Sequence, residues 1–283
     1  MFLIVFGLKE FFKRSPCILS FDNLDIKEYS CGDEHIVVLL ENGTVYSLGS
    51  NEYGQLGLGD KISRIDPRLI YDLRGHRITH ISCGSNHTIF ATDKNTLFAC
   101  GNNDHDQLGV ETAQQALVRP QKLTGWDSRN EIQRLYANAD LSAVLTVTGD
   151  LFTFGSNEFG QLGRPTRKRA DCLHPTKVSL QGPCMALGLG YRHAVAAVVQ
   201  TTTNRNNSGQ TILLVSWGQV NGGRLGFTKC DLAPSPQEAW TSSNWTVDRS
   251  GSVPRELNVE VNSNSVGING TEIARQTMGP TVS

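Results

Sequence analysis

Gly49-Ser-Asn-Glu-Tyr-Gly-Gln-Leu-Gly57 decides the reading of this chain, because it recurs almost letter for letter as Gly155-Ser-Asn-Glu-Phe-Gly-Gln-Leu-Gly163. A weaker copy, Gly101-Asn-Asn-Asp-His-Asp-Gln-Leu-Gly109, lies between them, and Gly218-Gln-Val-Asn-Gly-Gly-Arg-Leu-Gly226 follows. The closing glycines are 52, 54 and 63 residues apart. Self-similarity at a period of about 50 residues marks a propeller or an array, in which each unit buries its apolar face on the next.

A second marker keeps the same step. Cys31-Gly-Asp-Glu-His35 is echoed by Cys83-Gly-Ser-Asn-His87 and by Leu189-Gly-Tyr-Arg-His193. The remaining copy falls at Ala137-Asn-Ala-Asp140, which reads as alanine for glycine and aspartate for histidine. Between the markers each repeat carries a hairpin, turning at Glu41-Asn-Gly43, Asp93-Lys-Asn95, Thr148-Gly149 and Ser208-Gly209. Asn-Gly between apolar runs is a strong hairpin signal, since both central residues are expected to need positive φ.

Working outward, the units are 15–57, 58–109, 110–163 and 164–226, with a decayed partial copy at 1–14. Each later unit predicts a four-strand set. For the second unit the set is 67–71, 78–82, 88–92 and 96–101; the third and fourth open with strands at 120–123 and 175–178. The extra length of the fourth unit is a polar stretch, 201–210, predicted as a surface loop. Repeats thus occupy 1–230, and 231–283 is predicted to be a polar, irregular or degenerate tail.

The bulk composition excludes more than it suggests. With 26 Lys+Arg against 27 Asp+Glu, no global field favours nucleic acid. No stretch approaches the apolar length of a membrane span. The seven cysteines form no C-x-x-C pair, and small buried thiols in a reducing compartment account for them, which predicts a cytoplasmic or nuclear protein. No metal-ligand spacing and no phosphate-cradling loop stands out, so neither a metal nor a cofactor is expected. Arg164-Pro-Thr-Arg-Lys-Arg169 reads either as a nuclear localisation patch or as a solvated loop.

The signature has a structural job first. Gly49, Gly54 and Gly57 permit positive φ and close backbone approach, Asn51 is expected to form an Asx turn, and Leu56 to pack between blades. The same places are held by Gly101, Leu108 and Gly109, by Gly155, Asn157, Gly160, Leu162 and Gly163, and by Gly218, Leu225 and Gly226.

Together the two markers resemble the RCC1-like (regulator of chromosome condensation) repeat family, over about residues 1–230. The Gly-Ser-Asn-x-Phe-Gly-Gln-Leu-Gly and Arg-His-Ala-Val-Ala-Ala phrasing is most similar to its secretion-regulating exchange-factor branch. The resemblance implies an all-β fold, a seven-bladed β-propeller of four-stranded blades, here incomplete: about four full blades plus fragments. Edge blades left open are expected to self-associate, and the chain reads as a fragment, a splice form or a faulty gene model. The resemblance also implies a partner, a small GTPase, met by the acidic and histidine side chains of the glycine–histidine turn. The matching candidates are Asp33, Glu34, His35, Asn86, His87, Asp140, Arg192 and His193. Guanine nucleotide exchange would then proceed by displacement, without a catalytic acid, base or nucleophile. The family's elongated wedge hairpin has no counterpart in the signature loops. A non-catalytic protein-binding scaffold, with the histidines as turn caps, is the other reading.

Overall fold

The computed structural model describes residues 25–204 and 207–219, with the strand segments Phe2–Val5, Cys17–Ser20 and Leu232–Thr241. Phe2–Val5 (β1) pairs antiparallel with Cys17–Ser20 (β2). The rest of the described chain forms four antiparallel four-stranded sheets. The first blade is Ile26–Cys31 (β3), His35–Leu40 (β4), Val45–Gly49 (β5) and Arg64–Leu69 (β6). The second is Ile78–Cys83 (β7), His87–Thr92 (β8), Leu97–Asn102 (β9) and Ala116–Lys122 (β10). The third is Ile132–Asn138 (β11), Leu141–Thr146 (β12), Leu151–Gly155 (β13) and Thr176–Lys177 (β14), with a single helical turn at Ala170–Leu173 (α1). The fourth is Cys184–Leu189 (β15), His193–Asn204 (β16), Asn207–Gln219 (β17) and Leu232–Thr241 (β18).

The strand sets differ from the sequence expectation by one strand. The strand opening each later unit pairs with the hairpin of the unit before it: β6 with β5, β10 with β9, β14 with β13. The chain leaves the signature turn and returns antiparallel beside the strand it has just left, the nearest free edge. Sequence unit and blade are therefore out of phase, and every unit boundary is stitched through a sheet. The fourth sheet follows suit, because β18 pairs with β17 beyond residue 230, inside the stretch expected to be a polar, irregular or degenerate tail. Residues 201–204 and 207–210 are ladder rather than loop, with Thr201 opposite Gln210 and Asn204 opposite Asn207, so the hairpin does not turn at Ser208-Gly209.

β4, β8 and β12 are buried along their whole length, and both faces of β8 and β12 meet a neighbouring blade. Phe90 of β8 points back to Val37 and Leu39, whereas Ile89 and Ala91 point forward to Leu135 and Val144. Ala143 and Leu145 then face Leu187, Val198 and Trp217 of the fourth blade. Hydrophobic cores thus lie between successive blades. Burying one such side chain contributes roughly 1.5–3 kcal/mol.

The repeats are equivalent down to their dihedrals. Gly49, Gly101, Gly155 and Gly218 have φ of +108°, +106°, +104° and +107°. A Cβ there would come within 2.4 Å of the carbonyl oxygen that ends the neighbouring turn, so only glycine fits. The hairpin turns need one left-handed residue rather than two: Gly43, Asn95 and Gly149 supply it. Cys83, Cys100 and Cys184 are buried free thiols, but Cys31, expected to be buried, is exposed.

Candidate functional site

The glycine–histidine turns join β3 to β4, β7 to β8 and β15 to β16. In each, the glycine N–H donates to the histidine carbonyl, at 2.9 Å for Gly32, 2.9 Å for Gly84 and 2.8 Å for Gly190. Each imidazole folds back over its glycine. A Cβ would come 2.2 Å from Cε1 of His35, 2.1 Å from that of His87 and 2.2 Å from that of His193. The histidine is thus what requires the glycine three residues earlier.

All three histidines were candidates for a partner-binding face, and the structure corrects that placement for two of them. His35 is 1 % exposed and His87 0 %. His35 Nε2 lies 3.0 Å from Thr88 Oγ1 of the next blade, and His87 Nε2 lies 2.8 Å from Ser142 Oγ of the one after. Each hydroxyl donates its single proton to a signature glutamine carbonyl, Thr88 to Gln55 and Ser142 to Gln107, both at 2.8 Å. The imidazole must then be the donor to the hydroxyl, which fixes the Nε2–H tautomer. Burial pushes the His35 pKa down to about 4 and that of His87 to about 3. These are neutral inter-blade rivets. His193 is half-buried at the same register.

The third turn is also corrected. Leu141, not Asp140, stands in the histidine place: Leu141 pairs with Gly155 as His35 pairs with Gly49. Asp140 matches Glu34, Asn86 and Arg192. Their carbonyls accept the N–H of Ser156, Ser50, Asn102 and Gln219 respectively, at 2.9, 2.7, 2.8 and 2.8 Å. With no imidazole to accommodate, the glycine place can be Asn138, whose amide donates to the Leu189 carbonyl of the next blade at 2.7 Å.

The remaining turn candidates lie on one face. Asp33, Glu34 and Arg192 are exposed, and Asn86 and Asp140 half-buried. The turn-to-signature bonds bring the signature loops to the same face, and their fourth residues, Glu52, Asp104 and Glu158, are exposed there too. Those three carboxylates were missed in the sequence reading, although an acid at the same place in three copies was the visible signal. Burial raises the Asp140 carboxyl; His105 opposes, while Asp104, Asp33 and Glu158 push further up, as crowded like charges do. Asp140 accepts a hydrogen bond from Gln107 Nε2 at 2.9 Å. Arg192 lies 4.2 Å over the Phe159 ring, across the joint between blades three and four.

The signature places are structural. Leu56, Leu108 and Leu162 are fully buried. Asn51 makes no local Asx turn: its Oδ1 accepts the Leu56 N–H five residues on, at 3.0 Å, and Asn103 and Asn157 do the same for Leu108 and Leu162. Leu225 and Gly226 lie outside the described residues, as do the partial copy at 7–14 and the stretch from 242 onward. Within the basic run, Arg164 is buried and donates to the Thr153 carbonyl at 3.0 Å. Arg169 donates twice to Asp106, both at 2.7 Å, so two of its four cations are held in the fold.

Models of the "Regulator of chromosome condensation (RCC1) repeat" match residues 42–91 and 148–197, and 26–55 and 78–107. The chain belongs to the RCC1-repeat family. It is 35 % identical over 163 residues to the X-linked retinitis pigmentosa GTPase regulator of Canis lupus familiaris, covering 57 % of this chain and 16 % of that protein. It is 30 % identical over 212 residues to the ultraviolet-B receptor UVR8 of Arabidopsis thaliana, covering 74 % and 45 %. The chain thus spans less than half the length of these relatives. Among solved structures, Prp20p of Saccharomyces cerevisiae, crystallised in a study of its binding to Gsp1p and histones, aligns with a TM-score of 0.66. The alignment has 23 % identity and covers 81 % of this chain and 54 % of that one. That likeness supports the fold: an all-β arc of RCC1-type propeller blades. No helix among the described residues is long and apolar enough to cross a membrane.

Proposed function

We propose that this arc is a protein-binding propeller segment that engages a small GTPase through its acidic face and promotes nucleotide release. The observation that carries the reading is the exposed carboxylate row of Asp33, Glu34, Glu52, Asp104 and Glu158 on one side of three successive blades. One relative is a GTPase regulator by name, and Prp20p was crystallised in a study of its binding to Gsp1p, which favours this partner class. Such a face acts by binding the nucleotide-free GTPase more tightly than the loaded one; an equilibrium shifts only by that difference. Compartments where small GTPases work, the cytoplasm or the nucleus, go with it.

Burial of His35 and His87 favours the second reading, a scaffold without exchange activity, because it removes two histidines from the contact surface. Nucleotide release across a panel of small GTPases separates the two. Acceleration that is lost in Asp33→Lys/Glu34→Lys supports exchange; a desolvated interface charge is worth roughly 2–5 kcal/mol, on the order of 30-fold or more. No acceleration on any GTPase leaves the scaffold.

A further inference from the structure

A cleft of about 540 Å³ opens on the acidic face between the second and third signature loops. Asn103, Asp104, Asp106, Glu158 and Arg169 are among its lining residues. Three features distinguish it. Asp104 and Glu158 are exposed carboxylates that form no ion pair among the described residues. A guanidinium already sits here: Arg169 grips Asp106 through Nε and Nη2, which shows that the geometry suits a planar cation.

The third feature is Asn103 itself. It is 1 % exposed, and its Oδ1 is committed to the Leu108 N–H at 3.1 Å, which fixes the orientation of the amide. Its Nδ2 has no hydrogen-bond partner among the described residues. The equivalent amides are satisfied by the loop that follows each signature: Asn51 donates to the Asp60 carbonyl at 2.9 Å, and Asn157 to Thr166 Oγ1 at 2.9 Å. A buried donor without an acceptor costs roughly 1–3 kcal/mol. Asn103 therefore needs an acceptor, whereas the exposed carboxylates around it offer acceptors to a cationic donor.

We infer that this cleft seats one arginine or lysine of a partner's peptide segment, the cation between Asp104 and Glu158 and a main-chain carbonyl on Asn103 Nδ2. A peptide bearing a basic side chain offers both groups within one residue. A phosphate or nucleic-acid backbone would satisfy Asn103 but meet the carboxylates as a like charge. The inference rests on the acidic face being a partner surface; it goes further in fixing the chemistry and the place of one contact.

The test uses N-acetyl-arginine methylamide as probe, with N-acetyl-alanine methylamide as the uncharged control, titrated into the ¹⁵N-labelled chain. The expected result is a saturating shift of the Asn103 side-chain amide with the arginine probe alone. Asp104→Asn and Glu158→Gln should each weaken that binding roughly two- to fivefold, the range for partly exposed ion pairs. An Asn103 shift produced equally by the alanine probe, or no shift with either, overturns the inference. So does a probe affinity unchanged in the double variant. Both variants change exposed side chains, and the two-probe comparison on the unaltered chain decides the matter even where a variant folds poorly. Probe binding without any GTPase response would keep the inference and sink the exchange reading; exchange without probe binding would do the reverse.

Discussion

Blades two and three are joined differently from blades three and four, and the difference shows what the repeat has to conserve. At the first joint, His87 donates to Ser142, which donates to the Gln107 carbonyl. At the second joint the corresponding residues are Leu141 and Ala194, an apolar pair with neither imidazole nor hydroxyl. The carbonyl is still served: Trp217 Nε1 donates to Gln161 O at 2.8 Å. What is kept is a donor to the signature glutamine carbonyl, because that buried acceptor must be paired. The histidine is one way of supporting the donor, and the two ends of the support are lost together.

The sharpest way to break this comparison is at Trp217, which is fully buried and supplies both the packing and the donor at the second joint. Trp217→Ala should cost roughly 3–5 kcal/mol in urea unfolding. Trp217→Phe keeps most of the volume but leaves the carbonyl bare, and should cost about 1–3 kcal/mol. A negligible loss for the phenylalanine variant would mean the indole N–H is not a replacement for the Ser142 hydroxyl.

Acid should attack the joints that carry a histidine, blade one to two through His35 and blade two to three through His87, and spare the joint between blades three and four. His35 and His87 are held neutral, with pKa values of about 4 and about 3 against an ordinary 6.5. Between those values and 6.5 the unfolded chain binds protons that the folded chain refuses, so stability falls as pH falls. The contribution is intact above about pH 6.5 and at pH 5 has dropped by about 2 kcal/mol for each histidine. Glu28 and Asp140, whose carboxyls burial pushes up, work with the opposite sign. The control is therefore His87→Leu: its loss of stability between pH 7.5 and 5 should be smaller by about one histidine's share. An unchanged pH slope would show that the ring is protonated in the fold.

The joint can also be converted. Ser142→Ala and His87→Leu should each cost roughly 1–3 kcal/mol, since each leaves a buried polar group short of a partner. Made together they imitate Leu141 and Ala194, and the double variant should be more stable than the sum of the singles predicts by at least about 1 kcal/mol. Additive losses in a double-mutant cycle would remove the idea that the two positions act as one.

Much of this was readable beforehand, but unevenly. The period, the all-β class and the places of Gly49, Gly101, Gly155 and Gly218 follow from the nine-residue stretch, because local turn chemistry is written in adjacent residues. The phase between unit and blade was not readable, since either edge of a hairpin can accept the next strand. Burial of His35 was hidden for a different reason: its partner, Thr88, lies a whole repeat away. The substitution at the third turn misled because Asp140 resembles histidine in polarity more than Leu141 does. Its true register lies in the strand pairing with Gly155.

The smallest expected effect concerns the second signature alone. Asp106 occupies the place held by Gly54 and Gly160, and has φ of +62° against +81° and +78°. An aspartate tolerates that left-handed conformation better than most residues, at some cost. Its compensation is the bidentate grip on Arg169, which ties the segment after the third signature back to the second blade. The Asp106 side chain is 6 % exposed but that of Arg169 is 70 % exposed, so solvent and salt screen the pair. Arg169→Ala should therefore cost no more than about 1 kcal/mol at low ionic strength, and that difference should close in 1 M salt. Asp106→Gly removes the same pair but also the backbone cost, so it should sit above Arg169→Ala in stability, near the unaltered protein. If Asp106→Gly instead proved the more damaging of the two, the carboxylate would have a structural duty beyond Arg169, and the second signature would not be interchangeable with the first and third.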